Sequence, residues 1–317
     1  MARGKKIAIL GAGHVGATIA FSLALEAYAN EIVLIDINTE KAKGEAADIS
    51  HGTVFTPDVN VYAGEYKDAK NADIVIATAG ASRKPGQTRL ELAQTNVNII
   101  KTIIPEIVKY AKNAIYIIVS NPVDVITYTF CKLSGLPERQ IIGSGTLLDT
   151  VRLLEAVAKH TGLPAENVQA YVLGEHGDTQ VVPWSLVSVA GMKMHEYCEQ
   201  VCARRKKCGK AELNDIAQDV KTSGGKIIAA KGATYYGIAA SVRRLCETIL
   251  RGSPCVHTVS TMLRGEYGIS GVCLSLPFEV DGGGIKKLLK VPLTGDELEL
   301  LHKSADALKN VIKNLNI

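Results

Sequence analysis

Three side chains in the second half of this chain are of types that can do chemistry, and two of them are spaced to share one helix face. Asp149 and Arg152 lie three apart in Leu148-Asp149-Thr150-Val151-Arg152, so on a helix they project from one face. His176 follows in Leu173-Gly174-Glu175-His176-Gly177-Asp178, where flanking glycines leave an imidazole accessible and its backbone free. Imidazole is the side chain that exchanges a proton near neutral pH. In the first half, Ala81-Ser82-Arg83-Lys84-Pro85-Gly86-Gln87-Thr88-Arg89 carries two arginines six apart. A guanidinium offers a planar fork that matches a carboxylate and cannot shed its charge. A substrate with a second carboxylate would satisfy Arg83; one ending in a methyl group would leave it unpaired. Taken singly, each residue has a plainer explanation: a local ion pair on a helix, a structural histidine, a solvated loop arginine.

The elements that would position these groups begin at the N-terminus. Ile7-Ala8-Ile9-Leu10 reads as a short buried strand running into Gly11-Ala12-Gly13-His14-Val15-Gly16, and Ala17 to Ala27 reads as an apolar helix. A second strand, Ile32-Val33-Leu34-Ile35, ends at Asp36, twenty residues beyond Gly16. In such a unit Gly11 permits the tight turn, Gly13 the approach of a pyrophosphate, and Gly16 close helix–strand packing. The helix start offers free N–H groups and a positive dipole end to phosphates. Asp36 can accept hydrogen bonds from both ribose hydroxyls and would repel a 2′-phosphate, while Ile37 and Asn38 supply no offsetting cation; NAD is therefore expected over NADP. Strands at 74–77 and 115–119 and helices at 41–50, 90–110 and 123–133 continue the alternation, which predicts a parallel sheet covered on both faces. Thr78-Ala79-Gly80 and Ser120-Asn121-Pro122 fall just past strand ends, on the ligand side of such a sheet.

The second half opens after Gly143-Ser144-Gly145 with a helix from Leu147 to His160. Further helices are expected at 213–220 and 231–251, strands at 256–262, 271–280 and 285–290, a hairpin turn at Asp281-Gly282-Gly283-Gly284, and an amphipathic helix from Leu298 to Leu315. The expected fold is α/β: a Rossmann-type doubly wound parallel sheet over residues 1–145, then an α+β substrate domain over 146–317.

Composition excludes several classes. The chain has 317 residues, 47% hydrophobic and 21% charged, with a net charge of +4, which gives no reason to invoke nucleic acid or a membrane surface. The basic run Arg204-Arg205-Lys206-Lys207 reads as solvated surface. With neither a signal peptide nor a long apolar stretch, a cytoplasmic location is expected. Seven scattered cysteines argue against a disulfide framework, and Cys198, Cys202 and Cys208 lack a fourth ligand at a convincing spacing, so no metal site and reduced thiols are expected.

Along essentially its whole length the chain resembles the lactate/malate dehydrogenase family. The resemblance rests on Gly11–Gly16, the loop Arg83–Arg89, Ser120-Asn121-Pro122-Val123-Asp124, Leu148–Arg152, Gly174–Asp178 and Lys231-Gly232-Ala233-Thr234-Tyr235-Tyr236-Gly237, in order and at family spacing. It implies catalysis by His176, oriented by Asp149, with Arg152 gripping the substrate C1 carboxylate. Arg89 would polarise the carbonyl from a closing loop. Asn121 would bond near the carbonyl oxygen beside the cofactor, and Thr234 would line the substrate side-chain pocket. It also implies a homo-oligomer, with the lactate-like background favouring tetramers over dimers.

Within the family, lactate dehydrogenases usually carry glutamine at the position of Arg83 and malate dehydrogenases arginine. Burying Arg83 over pyruvate would strand a cation, whereas oxaloacetate brings a carboxylate to meet it. Asp48-Ile49-Ser50-His51-Gly52, Ser134-Gly135-Leu136-Pro137 and Gly232–Gly237 resemble the lactate branch instead. The sequence is thus read as a 2-hydroxy acid dehydrogenase with oxaloacetate/malate as the expected pair and pyruvate/lactate as the alternative. A cation and an imidazole that the resemblance associates with activation by fructose 1,6-bisphosphate are replaced by Leu154 and Gln169, so no such activation is expected. A non-catalytic NAD-binding redox sensor would have no need of His176, Asp149, Arg152 and Arg89 together. An NAD-dependent glycosidase would need a Cys/His metal set that the second half lacks.

Overall fold

A computed structural model describes residues 4–81, 86–201 and 209–317. Arg83, Cys202, Cys208 and the Arg204–Lys207 run lie outside the described residues.

The apolar runs form the strands of one nine-stranded sheet. Its first six are parallel: β1 (Lys6–Leu10), β2 (Glu31–Ile35), β3 (Asn60–Ala63), β4 (Ile74–Ala77), β5 (Ile115–Ile118) and β6 (Ile141–Gly143). Across the sheet they run β3-β2-β1-β4-β5-β6, so the order reverses between β1 and β4. Ile7, Ile9, Ile32, Leu34, Ile74, Ile76 and Ile117 are fully buried, as strands covered on both faces require. The covering helices are α1 (His14–Glu26), α2 (Thr39–Gly52), α3 (Arg89–Tyr110) and α4 (Val123–Leu133). Crevices for ligands open at the carboxyl ends of the strands beside such a reversal, where the Gly11 turn and Thr78-Ala79-Gly80 both fall.

The sheet continues with antiparallel β10 (Cys255–Arg264), β11 (Ser270–Asp281) and β12 (Gly284–Leu288), joined to β6 through the pair Ser260↔Gly143. Before them come α5 (Leu147–Thr161), a small antiparallel sheet of β7 (Val168–Gln169), β8 (Ser188–Val189) and β9 (Met192–Lys193), and α6 (Met194–Gln200). Then follow α7 (Lys210–Lys231) and α8 (Tyr236–Arg251), and α9 (Gly295–Lys313) closes the chain. A second apolar cluster around Leu153, Val157, Val172 and Val189 ties α5 to the small sheet.

The structure corrects two expectations. The helices expected at 213–220 and 231–251 are instead α7 and α8, with Lys231 ending the first helix; Gly232, at φ +86°, caps it and breaks the run. α7 also passes straight through Gly224-Gly225, and a Cβ on Gly224 would lie in ordinary contact with the Arg152 guanidinium, at 3.5 Å. Cys198, expected as a free thiol, is disulfide-bonded. Wide scatter along the chain had argued against bridges, whereas Cys198 belongs to the one stretch where three cysteines lie within eleven residues. Among the described residues no helix is long and apolar enough to cross a membrane.

Candidate active site

The glycine turn has the shape a dinucleotide requires. Gly11 adopts φ +101°, and its N–H donates to the Ile35 carbonyl at 2.8 Å. A Cβ on Gly16 would sit 1.9 Å from the Gly11 carbonyl oxygen, so α1 can approach the turn this closely only through glycine. A Cβ on Gly13 would meet nothing within 4 Å, leaving open space where the first turn of α1 presents its N–H groups. Asp36 lies at the end of β2. One oxygen accepts from the Ala12 N–H at 2.6 Å and the other from the Asn38 N–H at 2.8 Å, which leaves each oxygen a further lone pair for a ribose hydroxyl. Ile37 beside it is fully exposed, an apolar surface free to take a base. The cradle and its donor set fit NAD.

His176, the expected proton-transfer group, is held by its own hairpin and by carboxylates on two helices. Leu173 and Val181 exchange backbone hydrogen bonds at 2.8 Å, closing a hairpin that presents His176 at its tip. From α5, Asp149 Oδ2 accepts from His176 Nδ1 at 2.5 Å, and its Oδ1 accepts from Arg152 Nη1 at 2.9 Å. Asp149 is 2% exposed, Arg152 14% and His176 28%, so the carboxylate is sealed while the imidazole edge reaches solvent. An ionised Asp149 fixes the proton of neutral imidazole on Nδ1 and leaves Nε2 with a lone pair toward the cleft. Burial would push the Asp149 carboxyl up, but His176 and Arg152 outweigh it and hold it below the usual carboxylate range. Burial likewise opposes charge on His176, yet Asp149 and Asp124 prevail and raise its pKa. Arg152 spends one N–H on Asp149 and keeps the rest of its fork for another carboxylate.

Asp124, three residues beyond Asn121, is a group that sequence reasoning missed. It lies in the first turn of α4, fully buried, and its Oδ2 accepts from the His176 backbone N–H at 2.8 Å. Burial pushes its carboxyl up to about 6 despite the His176 N–H and the nearby Ser260 hydroxyl. Asp124 Oδ1 and Ser260 Oγ face each other close enough to interact but make no well-formed hydrogen bond. Ser304 on α9 accepts from the Glu175 N–H at 2.8 Å, and Ser275 on β11 accepts from the Thr146 N–H at 3.1 Å just before α5. Asn96 on α3 donates to the Asn121 carbonyl at 2.7 Å and accepts from the Ala81 N–H at 2.7 Å, tying two strand-end loops together. None of Asp124, Ser275, Ser304 and Asn96 carries a sequence signal, because long-range burial gives each its role.

The remaining expected site residues are distributed around this core. Asn121 is exposed at the carboxyl end of β5, and Thr234 is half-buried between α7 and α8. Arg89 is the first residue of α3, exposed, and ion-paired with Asp178 two positions beyond His176, so the structure brings it to the rim of the site. A cavity of about 390 Å³ at the opposite end of the sheet, lined by Lys5, Asp73, Lys112 and Ile249 among others, contains none of these residues.

Comparison with known proteins identifies the family. The profile described as lactate/malate dehydrogenase, NAD binding domain, matches residues 5–143, and that of the lactate/malate dehydrogenase alpha/beta C-terminal domain matches residues 146–316. The chain is 47% identical over 313 residues to the L-lactate dehydrogenase of Acetivibrio thermocellus, covering 99% of this chain and 98% of that one. It is 46% identical over 315 residues to L-lactate dehydrogenase 1 of Clostridium acetobutylicum, covering 99% and 100%. Among solved structures, the ligand-bound minor L-lactate dehydrogenase of Enterococcus mundtii superposes with a TM-score of 0.94 at 38% identity over 99% of both chains. With the NAD cradle and the His176 constellation at the same end of the sheet, the chain belongs to the lactate/malate dehydrogenase family and is an NAD-dependent 2-hydroxy acid dehydrogenase.

Proposed function

We propose that the chain interconverts pyruvate and L-lactate. The observation that carries this reading is identity of 46–47% over nearly the full length to enzymes named L-lactate dehydrogenase. Bound NAD supplies the hydride acceptor at its nicotinamide, or the donor when reduced. During reduction, His176 gives its Nε2 proton to the carbonyl oxygen, and during oxidation it takes the hydroxyl proton back. Asp149 keeps the imidazole oriented and favours its charged form. Arg152 binds the C1 carboxylate with the donors that Asp149 leaves free. Asn121 donates toward the carbonyl oxygen, Thr234 borders the substrate side chain, and Arg89 exchanges Asp178 for the developing oxyanion as the loop before α3 closes. Gly11, Gly13, Gly16 and Asp36 hold the dinucleotide. We retain 1–145 and 146–317 as cofactor and substrate domains, and a homotetramer in the cytoplasm as the working assembly.

One observation favours oxaloacetate and malate instead: the arginine at position 83. A cation closed over a methyl group stays unpaired, and breaking such a pairing costs about 3–5 kcal/mol. Steady-state NADH oxidation with pyruvate and with oxaloacetate, in the unaltered protein and in Arg83→Gln, decides between the two. A pyruvate preference in the unaltered protein supports lactate. An oxaloacetate preference that Arg83→Gln reverses overturns it in favour of malate. Unaltered turnover in His176→Asn would sink the dehydrogenase mechanism as a whole.

A further inference from the structure

Beside the phosphate end of the cofactor cradle stands an aromatic stack built from two distant parts of the chain. His14 is the first residue of α1 and the single ionisable side chain within Gly11–Gly16. Its ring stacks on Tyr235 with centroids 5.4 Å apart and 25° between planes. Tyr235 precedes α8 and meets Tyr236 edge-on at 4.5 Å. The ammonium of Lys231, the last residue of α7, sits 3.6 Å from the Tyr235 centroid and 4.3 Å from that of Tyr236. The order is therefore cation, phenol ring, imidazole, glycine turn.

We propose that Lys231, Tyr235 and His14 form a clamp on the dinucleotide pyrophosphate, with Lys231 supplying its counter-charge from the α7–α8 segment. A pyrophosphate diester carries two negative charges, whereas a helix N-terminus offers about half a positive charge. The backbone seat thus leaves charge to be neutralised, and the glycine turn holds no lysine or arginine of its own. Among the described residues the Lys231 ammonium rests on aromatic faces and is ion-paired with no carboxylate. Exposed cation–π contacts are weak compared with a charge-assisted hydrogen bond to phosphate, so the ammonium can leave the rings for the anion at small cost. Tyr235 carries the Lys231 ammonium at its ring and stacks with the His14 ring; its phenol is drawn below its ordinary pKa by hydrogen bonding to the lysine and to Tyr236. Because His14 belongs to the cradle and Lys231 to the segment carrying Thr234, the clamp couples cofactor binding to placement of the substrate wall.

The clamp rests on the NAD assignment, and equilibrium binding tests the two separately. NADH fluorescence titrations, with ADP-ribose and adenosine as competitors, are compared for the unaltered protein, Lys231→Met, Lys231→Arg, Tyr235→Leu, Tyr235→Phe and His14→Ala. Lys231→Met, Tyr235→Leu and His14→Ala should weaken NADH and ADP-ribose by roughly five- to twentyfold, while Lys231→Arg and Tyr235→Phe stay within about twofold. Adenosine, which lacks the pyrophosphate, should bind all six proteins alike. Lys231→Met binding NADH as tightly as the unaltered protein would overturn the clamp, and so would equal losses for adenosine and ADP-ribose. An unaltered protein that fails to bind NADH would refute the cofactor assignment instead. Lys231 is exposed, so its variants should fold, and thermal melting of each variant establishes this.

Discussion

Asp149→Asn isolates the charge that the proposed proton transfer depends on. The change preserves volume and leaves a carbonyl able to accept from one of its two present donors, but it removes the negative charge. With His176 Nδ1 and Asp149 Oδ2 2.5 Å apart, and Asp149 2% exposed, solvent screens this pair poorly. Taking the charge centres as ~4 Å apart and an effective dielectric of ~20, the imidazolium loses about 4 kcal/mol of attraction. The Arg152 guanidinium, left without its carboxylate, then opposes a proton on His176 and works in the same direction. Since 1.36 kcal/mol is a factor of ten, kcat/KM for 2-oxo acid reduction should fall about a thousandfold. The pH profile should move as well. The His176 pKa is raised in the folded protein, so reduction is sustained below that pKa and lost as pH rises through it. Without Asp149 the loss sets in at lower pH. Steady-state NADH oxidation followed across pH measures both effects, and NADH fluorescence titration checks that cofactor binding is intact. A loss of less than about tenfold with an unmoved profile would refute Asp149 as the charge partner of His176.

Four further predictions follow from the same geometry. Asp124→Asn keeps an acceptor for the His176 N–H at 2.8 Å but removes a charge that helps raise the His176 pKa, so kcat/KM should fall about tenfold and the alkaline limb of reduction shift downward; an unchanged profile would count against the coupling. Arg152→Lys keeps charge but loses the fork, and should raise KM for 2-oxo acids by about ten- to a hundredfold without altering NADH affinity. Gly16→Ala would place a methyl 1.9 Å from the Gly11 carbonyl oxygen; opening the turn should cost about 1–3 kcal/mol in thermal or denaturant unfolding and abolish tight NADH binding. Burial depresses the His257 pKa to about 4, so the buried ring is neutral. Stability it confers is fully present above the unfolded pKa and lost as pH falls from about 6.5 to about 4, by about 3 kcal/mol, which denaturant titrations on either side of that window would detect.

The legible parts of this fold are those whose physics is local. Four apolar residues, a glycine turn and an apolar helix form one covalent stretch, so β1, Gly11–Gly16, α1, β2 and Asp36 follow from adjacency alone. α4 spans 123–133 and α5 starts at Leu147 as expected, because both have clear apolar periodicity beside Pro or Gly punctuation. β7, β8 and β9, at two residues each, are too short to show any period and exist only because neighbouring strands pair with them. α7 runs on from Lys210 to Lys231 through Gly224-Gly225, and it is Gly232, at positive φ, that ends it and separates it from α8.

The site divides the same way. His176, Asp149 and Arg152 declare themselves by residue type, and their chemistry needs only that the fold bring them together. Asp124 has an equally chemical side chain but stands in the first turn of a helix, where an acid is ordinarily a favourable partner of the dipole and no more. Only the hairpin carrying His176, docked onto α4 from 52 residues away, turns that acid into a buried charge beside the imidazole. Ser304 and Asn96 make the same point with neutral groups, each reading a backbone amide or carbonyl that no sequence spacing associates with it. The proposed reacting groups are thus written in the residue types, while the electrostatics that tune them are set by which backbone the distant helices happen to reach. For that reason Asp124→Asn tests the fold's contribution to the His176 proton, whereas Asp149→Asn tests the side-chain chemistry that the sequence already declares.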